Sequence, residues 1–379
     1  MATRLVYIGT YTDPSPQAGY PVTPEHPVMG MTGPTGSSGI YVFEQDTESG
    51  ALTQRHTVAS VLNPSFLALD PGGRYLFAVN ESREFAGAPT GAVSSFALDP
   101  ASGYPRFRSQ VASGGANPCH LSVAPGGRHL LVANHEDGCV AVLPIDPAGQ
   151  LSPATDIRRD EPHDPARRPH AHFVTPDPAG NCVLPTDTGT DRIMVYRFDD
   201  QTGRLSPHQP PWGETPPGGS PRHLAFHPDG RALYANGEAD CSLSVFAYDP
   251  HAGTLTLRQH LSTLPAGVTG RLSTAQIAAH PNGRFVYVSN RGHDSIAIFR
   301  VAPDSGAVTL IGHAPTLGQT PRNFALDPAG RFLYVANQNS ASIVCFRVDP
   351  ATGLLAPTGH VASIPAPTCI IFGRASTAA

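Results

Sequence analysis

One turn phrase recurs along this chain and limits what it can fold into: Asp70-Pro-Gly-Gly, Ala124-Pro-Gly-Gly, Asp177-Pro-Ala-Gly, His227-Pro-Asp-Gly, His280-Pro-Asn-Gly and Asp327-Pro-Ala-Gly. Pro at the second position and Gly at the fourth suit a tight reversal. Alternating apolar runs flank each copy, such as Leu67-Ala-Leu before the first and Tyr75-Leu-Phe-Ala-Val after it, so each copy joins two strands. A second turn ends in Gly50, Gly103, Gly149, Gly203, Gly253, Gly306 and Gly353, each preceded by a strand of one style, from Ile40-Tyr-Val-Phe to Ile343-Val-Cys-Phe. The spacing of about 50 residues accommodates four short strands, the unit of a β-propeller blade.

The two turns occur six and seven times, and the termini account for the difference. Ala366-Pro-Thr-Cys-Ile-Ile-Phe372 reads as a blade's first strand with nothing following, and Leu5-Val-Tyr-Ile-Gly as a second strand with nothing preceding. The C-terminal strand is therefore expected to join three N-terminal strands in a seventh blade, closing the ring. Residues 1–379 read as one all-β domain, a seven-bladed β-propeller of four-stranded blades. Two sandwich domains, the rival all-β reading, do not yield this count.

Composition narrows the function classes. Pro (40) and Gly (38) make the chain turn-rich, while 40% hydrophobic residues leave ample material for a core. A net charge of −5 with 15% charged residues provides no basic footprint for nucleic acid. All 25 basic residues are Arg, which excludes a Schiff-base lysine and a phosphate-loop lysine. No run is long enough for a membrane span, and the first residues are too short an apolar run for a signal peptide. Six scattered Cys without a C-x-x-C pair read as reduced thiols of a cytoplasmic protein.

In a propeller the start of each blade's first strand and the end of its second meet at one mouth of the central channel. Here the first-strand starts carry Ser65, Cys119-His120, His170-Ala-His172, Arg222-His223, Gln276 and Arg322. The second-strand ends carry Tyr11, Glu81, His135-Glu136, Asp187, Glu238, Arg291 and Gln338. Strands that are apolar in mid-run turn ionic at this end alone, which marks the mouth as the candidate site. Residues 13–38 and 155–169, the latter with Arg158, Arg159, Arg167 and Arg168, depart from the repeat and are expected to overhang it.

Several phrases then carry a resemblance: Tyr7-Ile-Gly-Thr-Tyr-Thr12, Asn117-Pro-Cys-His-Leu, Pro169-His-Ala-His172, Pro221-Arg-His-Leu-Ala-Phe-His-Pro-Asp-Gly-Arg231, Val288-Ser-Asn-Arg-Gly-His-Asp294 and Val335-Ala-Asn-Gln338. Together they resemble the seven-bladed lactonase family that includes bacterial 6-phosphogluconolactonases and fungal carboxymuconate cyclases. The resemblance implies a metal-independent enzyme of sugar or aromatic-acid lactone chemistry, its catalytic His falling on His170, its Glu on Glu238 and its anion-binding arginines on Arg222 and Arg291. Gly237, where many members have Asn, and Gln276, where many have Asp, depart from the pattern.

Opening a lactone requires an activated water, stabilisation of a tetrahedral oxyanion and a proton for the leaving alkoxide. His170 is expected as base toward water, with Glu238 orienting it or shuttling the proton, and Arg222 and Arg291 clamping an anion. His120, His172, Asp187, Gln276, Arg322 and Gln338 are expected to contact substrate. An Arg222–Glu238 salt bridge is the plainer reading of that pair. The leading function is hydrolysis of an anionic sugar lactone, 6-phosphogluconolactone first. The alternatives are a carboxymuconate-type cycloisomerase and a non-enzymatic binding propeller. No cofactor and no metal is expected, although His120, His135, Glu136 and the His-x-His pair could suit zinc. The expected partner is a small anionic lactone, with no nucleic acid or membrane, in a monomer or small homo-oligomer.

Overall fold

A computed structural model describes residues 2–13, 36–161 and 164–376. Its 28 strands form seven four-stranded antiparallel sheets. The closing blade holds β1 (Thr3–Thr10), β2 (Gly39–Asp46), β3 (Leu52–Ala59) and the C-terminal β28 (Pro367–Ser376). The next contain β4 (Leu67–Leu69), β5 (Tyr75–Asn80), β6 (Ala92–Leu98) and β7 (Pro105–Ala112); then β8 (Pro118–Val123), β9 (His129–Asn134), β10 (Cys139–Pro144) and β11 (Asp156–Arg159). The following two are β12 (Ala171–Pro176), β13 (Cys182–Asp187), β14 (Arg192–Asp199) and β15 (Arg204–Glu214), and β16 (Pro221–Phe226), β17 (Ala232–Gly237), β18 (Ser242–Asp249) and β19 (Thr254–Ser262). The last two are β20 (Ser273–Ala279), β21 (Phe285–Arg291), β22 (Ser295–Val301) and β23 (Val308–Pro315), and β24 (Pro321–Leu326), β25 (Phe332–Asn337), β26 (Ser342–Val348) and β27 (Leu355–Ser363).

The ring closes as the turn count requires. Strand β28 is the inner strand of the sheet β28-β1-β2-β3, with Val6 opposite Phe372, Tyr7 opposite Ile371 and Ile8 opposite Ile370. Chain ends paired in this way leave no unsatisfied edge at the seam. The second and third strands of each blade pack against neighbouring blades on both faces, so β21 is buried along its whole length and such strands read as continuous apolar runs. Outer strands such as β7, with the burial of its residues alternating, face solvent on one side.

The Pro-Gly turns hold this arrangement. Gly283 and Gly330 have φ of 71° and 67°, the left-handed region where glycine avoids a Cβ clash. At two of the turns the opening residue ties blades together: His227 Nε2 lies 2.9 Å from the Gly283 carbonyl and His280 Nε2 2.9 Å from that of Gly330.

One expectation fails here. Residues 155–169 are not wholly an insertion over the mouth, because Asp156–Arg159 form β11, the outermost strand of its blade. Local carboxylates hold three of its four arginines: Arg158 by Asp156 at 3.1 Å, Arg159 by Asp137 at 3.8 Å and Arg167 by Asp191 at 2.5 Å. Of the other expected overhang, residues 14–35 lie outside the described residues.

Candidate active site

The inner strands aim their first side chains by breaking register. In β8, β12, β16 and β24 the pairing skips one residue near the strand start, namely Cys119, His172, Arg222 and Arg322; β20 does the same around Ala275 and Gln276. A bulge of this kind leaves the extra residue unpaired and redirects its side chain. In three of these strands the residue before the initial Pro is left-handed, Asn117, Ser220 and Thr320 having φ of 52°, 52° and 58°.

Two arginines converge on Glu238. Arg291 Nη2 donates to Glu238 Oε1 and, at 2.8 Å, to the Thr274 carbonyl, while Arg222 Nε lies 3.4 Å from the same carboxylate oxygen. Arg222 Nη1 also donates to the Ala275 carbonyl at 2.5 Å. Both guanidiniums are buried, at 2% and 1% exposure, and burial pushes both below the ordinary arginine value. Burial alone would raise Glu238, but Arg291 and then Arg222 bring its carboxyl down to about 2. Glu238 is therefore an anion at any working pH, suited to holding two cations and poorly suited to donating a proton. The salt bridge expected between Arg222 and Glu238 exists, as one half of a three-member cluster.

His170 stands just before β12, its backbone N–H donating to Asp187 Oδ1 at 2.9 Å. Its Nδ1 lies 3.0 Å from the His135 carbonyl oxygen, and the two imidazole rings stack with centroids 4.8 Å apart. A carbonyl can only accept, so Nδ1 carries the proton and Nε2 the lone pair. That tautomer is the one a general base needs.

A second ionic network lies further round the mouth. Arg322 Nη2 donates to the Tyr11 hydroxyl at 2.7 Å, and Tyr11 donates to the Glu81 carboxylate, at 2.9 and 3.0 Å to its two oxygens. Ser65 donates to Glu81 at 2.5 Å. Burial raises the Glu81 carboxyl, with Arg322 opposing it. For Arg322 burial acts downward, but Tyr11, Glu81 and Glu238 together hold it above the ordinary value.

The other residues expected to contact substrate have defined protein partners or surroundings. His120 is 3% exposed, its ring between Phe66 and Phe173 at 4.1 and 3.9 Å, and its Nδ1 accepts from the Val174 N–H. Asp187 Oδ1 is shared by the backbone N–H groups of His170, Gly189 and Thr190. Packing and backbone hydrogen bonds occupy these two side chains. Gln276 Oε1 lies 2.5 Å from His223 Nδ1, and Arg222 Nη1 donates to His223 Nε2 at 3.1 Å, which fixes the proton of His223 on Nδ1. Burial, followed by the Arg222 charge, holds His120, His172 and His223 well below the ordinary histidine value, leaving them neutral. His172 Nδ1 and Gln338 Oε1 are buried without a hydrogen-bond partner among the described residues. Cys119 is buried and its thiol is pushed far up, so it is no nucleophile.

Sequence reasoning singled out Tyr11, Ser65, Glu81 and His223 as mouth residues without assigning them work, and weighed His135 only as a metal ligand. Their partners lie on other blades, and no spacing along the chain reveals such contacts. The departure at Gly237 also has a local cause: a Cβ there would stand 2.2 Å from Asp240 Oδ1 and 2.4 Å from Ser242 Oγ. Among the described residues no three His, Cys, Asp or Glu side chains converge as metal ligands. Glu136 is instead held by Arg83 at 2.7 Å.

Seven four-stranded blades whose strand ends bring buried arginines, carboxylates and imidazoles to one mouth define a β-propeller with a charged channel mouth. The chain belongs to the lactonase family of seven-bladed β-propellers, whose model matches residues 5–372, and it is a lactone hydrolase. It is 33% identical over 334 residues to the 6-phosphogluconolactonase of Bacillus subtilis (strain 168), covering 86% of each chain. The 6-phosphogluconolactonase of Formosa agariphila is 32% identical over 85% of this chain and 86% of its own. Among solved structures, the periplasmic gluconolactonase of Pseudomonas aeruginosa superposes with a TM-score of 0.86 at 33% identity, covering 98% of this chain and 99% of that one. Membership sets aside the reading as a non-enzymatic binding module. No helix among the described residues is long and apolar enough to cross a membrane.

Proposed function

We propose that the protein hydrolyses an anionic sugar lactone, 6-phosphogluconolactone, with His170 as general base and the Arg222–Glu238–Arg291 cluster stabilising the oxyanion. One observation carries the reading: three buried or half-buried arginines (Arg222, Arg291, Arg322) face two carboxylates (Glu81, Glu238) around one mouth. With Glu81 and Glu238 both ionised, these five side chains keep one positive charge, and burial reduces the solvent screening of its attraction for an anion. The names of the Bacillus subtilis and Formosa agariphila relatives support the phosphorylated substrate.

In this reading His170 Nε2 takes a proton from water as the oxygen adds to the lactone carbonyl. The carbonyl π electrons move onto oxygen, and the guanidinium N–H groups of the arginine cluster balance the charge that develops there. When the intermediate collapses, the bond from the carbonyl carbon to the ring oxygen breaks and the imidazolium returns its proton to the leaving alkoxide. The product is an open-chain acid that releases one proton at neutral pH. Glu238 keeps both arginines in register, and His135 and Asp187 hold the imidazole. The six buried, unpaired thiols support residence in a reducing cytoplasm, whereas the Pseudomonas aeruginosa relative is periplasmic.

The test is proton release at constant pH on fresh 6-phosphogluconolactone and on unphosphorylated gluconolactone. Loss of the base in His170→Ala lowers kcat by about 10²–10⁴-fold. No acceleration of the phosphorylated lactone by the wild type, or full activity in His170→Ala, overturns the reading.

A further inference from the structure

The three arginines of the mouth are not equivalent. Arg222 and Arg291 are almost fully buried, share Glu238, and spend Nη donors on the Ala275 and Thr274 carbonyls. Arg322 is only half-buried, and among the described residues no carboxylate oxygen lies within 4 Å of it. Its charge is balanced at one remove. A phenol is inserted between cation and anion: Arg322 donates to the Tyr11 oxygen at 2.7 Å, and Tyr11 donates to Glu81. Glu81, 7% exposed, is anchored from its other side by Ser65 at 2.5 Å.

A direct bidentate pair would occupy the planar fork of N–H donors that a phosphate needs. The bridged pair consumes one donor, and the Tyr11 ring supports the guanidinium, whose carbon lies 5.1 Å from the ring centroid. The cavity bounded by Ser65, Glu81, His172, Arg222 and Arg322 measures about 10 Å³, room for about one water and too small to enclose a sugar.

The charged groups come from four successive blades. His170 opens the β12–β15 blade, Arg222 and Glu238 belong to the next, Arg291 to the one after, and Arg322 to a fourth. An aldonolactone phosphorylated at carbon 6 carries its reacting carbonyl and its phosphate at opposite ends.

We infer that Arg322 takes the remote phosphate of the substrate, that Tyr11, Glu81 and Ser65 are its positioning residues, and that this network sets the preference for phosphorylated over uncharged lactones. The inference rests on the lactonase reading above and names the residues that select within it.

The experiment measures the ratio of kcat/KM for 6-phosphogluconolactone to that for gluconolactone in wild type, Arg322→Gln, Arg322→Lys and Tyr11→Phe, together with calorimetric affinity for 6-phosphogluconate. Losing charge-assisted contacts to a phosphate is expected to lower the ratio about 30-fold in Arg322→Gln, mainly through KM. Tyr11→Phe lowers it about 3- to 10-fold, and Arg322→Lys recovers part of the loss because the charge returns without the fork. A ratio unchanged in Arg322→Gln, with both lactones equally affected, overturns the inference. Should Arg322→Gln fail to fold, Arg322→Lys and Tyr11→Phe decide by the same ratio. If wild type hydrolyses neither lactone, the functional reading fails by itself and the affinities decide. Weaker 6-phosphogluconate binding in the variants than in wild type supports the inference, and equal or absent binding overturns it.

Discussion

Asp187 Oδ1 accepts the backbone N–H of His170 at 2.9 Å, joining the last residue of β13 to the residue that opens β12. The same oxygen gathers the N–H groups of Gly189 and Thr190, so one carboxylate fixes both the loop and the candidate base. Asp187→Ala is expected to lower kcat about 10²-fold, because small displacements of a reacting group cost that much. Asp187→Asn retains an acceptor oxygen and most of the rate. Steady-state kinetics of the two variants check this.

Burial pushes the Asp187 carboxyl up to about 6, against an ordinary value of 3.8. The folded state therefore binds this proton more tightly than the unfolded one. Its stabilising contribution is complete below pH 3.8 and is lost as pH rises through about 6, a change of roughly 3 kcal/mol. Asp187→Asn removes this step. Denaturant unfolding of wild type and variant between pH 4 and 7 measures it.

Glu238 behaves in the opposite sense. Its carboxyl is held at about 2, below the ordinary 4.5, so its contribution is present above pH 4.5 and lost as pH falls toward 2. Glu238→Gln leaves Arg222 and Arg291 buried without their anion and destabilises the fold by about 3 kcal/mol at neutral pH. The same variant loses the acid-side slope between pH 4.5 and 3, which denaturant titration detects.

All six cysteines are unpaired and buried, and burial raises every one of their thiols. A thiol reagent at pH 8 is expected to label fewer than one site per native chain and all six after guanidinium denaturation. Cys119→Ala keeps activity, since a protonated, buried thiol performs no step. Rapid labelling of Cys119 in the native protein contradicts this.

Gly237 has no room for a side chain, its would-be Cβ meeting Asp240, Ser242 and the Gly219 carbonyl within 2.8 Å. Gly237→Asn is expected to lower the melting temperature by several degrees and to shift Glu238, its neighbour. The double change with Asp240→Gly removes the shortest of these contacts and recovers part of the stability, Ser242 Oγ and the Gly219 carbonyl still crowding the new side chain. Melting temperatures of Gly237→Asn, Asp240→Gly and the double variant test the coupling.

The sequence by itself determined the ring. Six Pro-Gly turns and seven second turns at a near-constant spacing specify seven four-stranded blades, and the incomplete strands at the two ends specify the seam between β28 and β1. It also marked which end of the strands carries ionic side chains, because a strand buried on both faces tolerates charge only where it emerges. It did not reveal that residues 156–159 form a strand, since Asp-Ile-Arg-Arg on an outer edge lacks the alternating apolar signal. Only the tertiary structure decided what each mouth residue does. Arg291 and Glu238 are 53 positions apart, Arg322 and Tyr11 311 apart, yet each pair is in direct contact. The bulges that aim Arg222, His172 and Arg322 add one residue against a partner strand, a feature of pairing rather than of local composition. Which carboxylate stays ionised, which imidazole carries its proton on Nδ1, and which arginine pairs with a carboxylate directly or through a phenol all follow from neighbours supplied by other blades.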